Sequence, residues 1–164
     1  MNLIDLLILV AFIISFFSGY KTGLIVVFTF VFAFFLSLYF TPHLINIAIT
    51  FFSKALLFSG NSLISISFVF TLLMLNALIG KFLLLMADIL GITRISKNSF
   101  LAGFVNVFLS ILIISLVVKS IDWAKMYMLF SDQWKSSQIV NYLLEFNTNF
   151  FKYFPLNFSL PWKS

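Results

Sequence analysis

The residues able to do chemistry in this chain are few and scattered. There is one histidine, His43, no cysteine, and five carboxylates at Asp5, Asp88, Asp122, Asp132 and Glu145. A hydrolytic triad needs a nucleophile, a base and an orienting group within reach of one another, and His43 follows Pro42 with no acid near it in sequence. One histidine, no thiolate and dispersed acids do not make a metal-ligand set. No Gly-Lys-Ser/Thr phosphate loop is present. An enzyme built on Asp88 or His43 would need partners that the sequence places beside neither. The expectation is a protein that is not an enzyme and takes no cofactor or metal.

Polar residues within apolar surroundings remain as functional candidates, because ionisable groups inside a membrane are costly and usually have a task. They are Asp5, Lys21, Asn76, Lys81 and Arg94. Each also has a structural reading. Asp5 in a first helical turn suits the positive end of the helix dipole. Lys81 near a span end can reach for the interface along its own stem. Lys21 in a turn can face headgroups. A small transporter or channel subunit is the functional alternative, resting on Asp5 and Lys81 with Asn76 and Asn106. Transporters, however, commonly show internal repeats and broken spans, and neither is visible in this sequence.

The elements that must position these residues follow from composition. The chain has 164 residues, 62% of them hydrophobic and 9% charged. A soluble domain carries about 25% charged residues, and one this apolar would show water a large hydrophobic surface. Hydrocarbon is the consistent solvent. The net charge of +5 comes from dispersed residues, so no clustered basic face for nucleic acid is expected. The fold class expected is all-α: an integral membrane protein with about four transmembrane helices plus interfacial amphipathic helices. The unbroken apolar runs are too long for barrel strands. The spans are expected at about 3–20, 24–40, 63–82 and 100–118. The first is read as a retained helix, since residues 1–5 lack the basic start of a signal peptide. Pro42 is expected to end the second span. Residues 44–58, with Asn46, Thr50, Ser53 and Lys54 at helical spacing, are then expected to lie along the interface. The domain division is 1–118 for the transmembrane part and 119–164 for a C-terminal tail. An amphipathic helix is expected at about 136–154, capped by Ser136 or Ser137 and stopped by Pro155. Trp123, Trp134, Tyr142, Tyr153 and Trp162 suit the membrane interface.

Helices in lipid associate through close backbone packing and interhelical hydrogen bonds. Small residues recur here at four-residue spacing, which sets them on one helix face. Ala11, Ser15, Gly19 and Gly23 form one line. Thr29, Ala33, Ser37 and Thr41 form a second. Ala102, Asn106 and Ser110 form a third, with Ser99 and Gly103 beside it. Contacts between helices of one chain, or a homodimer face, are the expectation. Asn76 and Asn106 are expected to pair across the third and fourth helices.

The order Asn2-Leu3-Ile4-Asp5, an apolar run, Gly19-Tyr20-Lys21-Thr22-Gly23 and a second apolar run resembles the start of the colicin V production (CvpA) family. The later order is similar too: an amphipathic stretch, a third span, Leu90-Gly91-Ile92-Thr93-Arg94, and a fourth span rich in small residues. Trp134, Ser137 and Ile139 resemble that family's tail. Lys21-Thr22-Gly23 stands where Arg-Gly is usual. The resemblance implies a non-enzymatic multi-pass protein of the bacterial inner membrane, with a role in colicin V production, a toxin biosynthetic process, or in envelope maintenance as an assembly partner. Its partners would be the bilayer and another membrane protein or a second copy. Lys21, Lys81, Arg94 and Lys97 fall on one side of the spans and Lys54, Lys119, Lys125 and Lys135 on the other, so the positive-inside rule is tied. An N-terminus without a basic side chain, and a tail that mixes its lysines with Asp122, Asp132 and Glu145, tip the expectation toward both termini outside the cytoplasm, with Lys21, Arg94 and Lys97 inside.

Overall fold

Four long apolar helices dominate the computed structural model, which describes residues 2–55, 59–91, 99–153 and Pro161. They are α1 (Leu3–Thr22), α2 (Leu24–Ala55), α3 (Gly60–Ile89) and α4 (Phe100–Trp123). A 3-10 turn, Met126–Phe130, leads into a short α5 (Ser131–Ser136) and an amphipathic α6 (Gln138–Tyr153). The fold is all-α, and α1 to α4 are each long and apolar enough to cross a membrane. Arg94, Lys97, Pro155 and Trp162 lie outside the described residues.

Local chemistry sets the helix ends. Asn2 caps α1: its Oδ1 accepts the Asp5 amide at 3.0 Å, and Asp5 Oδ2 accepts the Asn2 amide at 3.2 Å. The hairpin after α1 is tighter than the expected spans allow, since these leave residues 21–23 between them. The helix runs through Thr22, and Gly23, at φ 90° and ψ 162°, makes the reversal alone. Its amide donates to Gly19 O at 3.1 Å, and its own carbonyl accepts from Val27 in the next helix at 3.2 Å. Ser99 caps α4 by accepting the Ala102 amide at 3.3 Å.

The expected break at Pro42 is absent. Pro42 lies inside α2, so residues 44–55 continue the second span rather than forming a separate interfacial helix. A proline inside a span is tolerated where neighbouring groups satisfy the freed backbone. The Ser37 and Thr41 hydroxyls bond Ala33 O and Ser37 O, both at 2.6 Å, whereas the carbonyl that Pro42 frees is Leu38 O, so the helix is carried past the proline by packing rather than by these bonds. Before the proline, Phe34 and Leu38 are buried in a cluster with residues of α3 and α4; beyond it, Leu44 and Phe51 line a groove with Phe70 and Leu75 of α3. A proline is the usual cause of a kink in a long helix, so a bend in α2 is expected here.

The core lies around α4. Leu109, Leu112 and Leu116 meet Phe34 and Leu38 of α2 and Phe68 and Leu72 of α3. Phe151 of α6 is buried in the same cluster. The tail is therefore part of the bundle. A second cluster joins Val118 of α4 to Val140 and Leu143 of α6, with Ile4 and Ile8 of α1 packed against it. Trp134 belongs to this cluster, 7% exposed and stacked on Tyr127 at 5.8 Å, and not to a lipid interface. Tyr142, by contrast, is 71% exposed.

Candidate functional site: a carboxylate between the two ends of the chain

Among the described ionisable candidates, Asp5 is the one that lies at the centre of a polar constellation. Its side chain is 2% exposed. One oxygen closes the cap of α1. The other accepts from Ser137 Oγ and, at 3.1 Å, from the Ile139 amide. Ser137 Oγ in turn accepts the Val140 amide at 3.1 Å, so it is the N-cap of α6. Asn2 Nδ2 extends the join by donating to Gln133 O and, at 3.2 Å, to Ser136 Oγ. A single carboxylate therefore satisfies amides at the first turns of two helices and lies at the positive end of both dipoles. The sequence distance bridged is 132 residues.

A second node joins α1 to α4. Asn106 Nδ2 donates to Ser15 O at 2.7 Å and to Ser15 Oγ at 3.0 Å. Ser15 Oγ donates to Asn106 O at 3.0 Å and is hydrogen-bonded to Ser110 Oγ. One turn further, Gly19 allows the backbones to touch. A Cβ there would come within 2.5 Å of Asn106 Cβ and 2.6 Å of Ala102 O. Gly103 is similar, since its Cβ would meet Phe16 Cε2 at 2.7 Å. The small residues of α1 and α4 thus face each other, although Ala11 is only half-buried. On α2, Ala33, Ser37 and Thr41 are fully buried and Thr29 half-buried. The Thr29, Ser37 and Thr41 hydroxyls bond carbonyls one turn back in their own helix.

The remaining candidates are elsewhere. Asn106 pairs with α1, so the expected Asn76–Asn106 pair does not form. Asn76 Oδ1 is buried and has no hydrogen-bond partner among the described residues. Lys21 is exposed in the last turn of α1, where a cation suits the negative end of the dipole. Lys81 is exposed on α3, 21 residues or about 32 Å along from Gly60. Since α3 starts at the face that holds the start of α1, Asp5 and Lys81 sit toward opposite ends of the bundle. His43 is exposed on α2. Among the described residues, no three His, Asp or Glu side chains come together.

The sequence pointed to Asp5 through the helix it begins. It could not show that the second set of donors comes from the tail. Trp134, Ser137 and Ile139 were the available signal, a capped amphipathic helix with nothing in its own neighbourhood to dock on. Comparison with models of protein families, with curated proteins and with solved structures finds no match.

Proposed function

We propose that this multi-pass membrane protein is a non-catalytic assembly partner of the colicin V production kind. It would act in toxin production or envelope maintenance in the bacterial inner membrane, with both termini outside the cytoplasm. The observation that carries this reading is the Asp5 join. Asp5 at one end of the chain, and Ser137 and Ile139 at the other, are among the residues on which the resemblance rests, and they bond one another directly. The same observation weighs against the transporter alternative. Both Asp5 oxygens are occupied by donors from the chain itself, and Lys81 stands far from it.

The test uses a host lacking its own protein of this family. Expressing the chain is expected to restore export of a peptide toxin, and crosslinking from Gln133→Cys on exposed α5 is expected to capture a second membrane protein. An inserted, stable protein that restores nothing would overturn the reading. Solute flux through vesicles holding only the purified protein would replace it with the transporter alternative.

A further inference from the structure

A groove on the lipid-facing side of the bundle has the width of one hydrocarbon chain. It runs between the second half of α2 and the first half of α3 and encloses about 350 Å³, within the range of ligand clefts, about 300–1,000 Å³. Its floor is buried Ala48 and Thr71, and its rims are exposed Ile47, Phe51 and Met74. Small residues beneath large ones leave a slot. A partner helix, about 10–12 Å across, needs small residues at the rim to come close, and these rims hold it off. Thr71 Oγ1 donates to Ser67 O at 2.7 Å, so the floor offers no free hydrogen-bond donor. An unsubstituted alkyl chain fits such a slot.

Two contacts set its depth. Ser65 Oγ donates to Ser120 O at 2.9 Å, which places that level of α3 against the last turn of α4. Phe70 is then about 8 Å further into the bundle, and Leu75, at the inner end of the groove, about 15 Å. That is half of a hydrocarbon core about 30 Å thick. The Phe52 ring meets Phe70 edge-on at 5.0 Å, so the last turn of α2 lies outward of Phe70. Lys54, seven residues on from Ile47, continues the Ile47 rim in that direction. It is exposed, and its stem can carry the ammonium to headgroup level. Among the described residues none pairs with that ammonium. Helix α2 holds no acid, and the one acid of α3, Asp88, is at its far end.

We propose that this groove binds an anionic phospholipid from the leaflet on the side of the chain termini, with one acyl chain between Ile47 and Met74 and the phosphate on Lys54. Charge decides between headgroups. A lysine with no acid beside it attracts a headgroup of net negative charge. A zwitterionic headgroup brings an amine as well, and neither helix supplies a carboxylate to receive it at this end.

The test places the full chain in phosphatidylcholine vesicles doped with phosphatidylglycerol or phosphatidylcholine that carries a photoreactive acyl chain. On irradiation the phosphatidylglycerol probe is expected to label residues 44–51 and 70–75 about fivefold more than the phosphatidylcholine probe does, the weight of one lysine against an anionic headgroup. Lys54→Gln, at an exposed position, should remove the difference, and Lys54→Arg should keep it. Ala48→Phe, which fills the floor, should lower labelling of the groove by either probe and leave that of the outward face of α1 unchanged. Equal labelling of the unaltered chain by the two probes, a preference that survives Lys54→Gln, or label spread evenly over the four long helices would overturn the proposal. So would crosslinking of Ile47→Cys to another protein in native membranes, which would make the groove a helix-docking face.

Discussion

Asp5, Ser15, Gly19 and Asn106 show how few polar atoms an apolar bundle needs to fix its arrangement. Interhelical hydrogen bonds in membranes average about 0.6 kcal/mol and reach about 1.7 kcal/mol. Asn106→Ala should therefore cost on the order of 1 kcal/mol, measured by unfolding in mixed detergent micelles. Because Asn106 bonds Ser15 directly, the Ser15→Ala/Asn106→Ala double variant should cost less than the sum of the two single variants. Gly19→Ala acts through volume. With 2.5 Å to Asn106 Cβ, α1 must move off α4, at about 1–3 kcal/mol. Ile14→Ala, 62% exposed, should change little by the same measurement. Much of this was legible from four-residue spacing, because period alone decides which side chains share a helix face. Which face meets which was not, since every small-residue line is an equally good surface until the helices are arranged. Asn76 and Asn106 show this: both are amides inside spans, and only Asn106 has a hydroxyl opposite.

At the scale of elements, the sequence misled where a local rule competed with length. Pro42 forbids one backbone hydrogen bond, and the expected boundary followed from that. The packing of Ile45 against the core and of Ala48, 8% exposed, carries the helix on. Spin labels at the exposed positions Phe28 and Phe51 test the bend. Pro42→Ala should lengthen their separation toward the about 34 Å of a straight helix, and an unchanged distance would show that the proline does not bend α2. Helix α6 makes the opposite point. Its amphipathic pattern was plain in the sequence, but such a pattern is equally at home on a lipid surface and against a bundle. Buried Val140 and Phe151 decide for the bundle. Asp5→Ala removes the acceptor shared by Ser137 and Ile139, so hydrogen exchange across residues 138–153 should accelerate more than in the centre of α3. Equal protection in both proteins would show that apolar contacts alone seat α6.

At the scale of the molecule, the solvent is the deciding fact. Leu7, Ile14, Phe32, Ile47, Phe82 and Phe104 are all well exposed on the four long helices, a surface that only lipid or detergent tolerates. The protein should stay in the pellet after an alkaline carbonate wash and leave it only with detergent; recovery in the aqueous supernatant would overturn the fold reading. Composition alone carried this conclusion, because the apolar fraction is a property of the whole chain and needs no arrangement. The contact between Asp5 and Ser137 has a consequence in time. Helix α1 leaves the ribosome 132 residues ahead of the hydroxyl that completes its carboxylate's bonding. At about 5–20 residues per second, Asp5 waits roughly ten seconds for its donors to be synthesised. Until then the nascent chain carries an unsheltered carboxylate beside a bare α4, and a chain truncated before Ser137 would keep it so permanently.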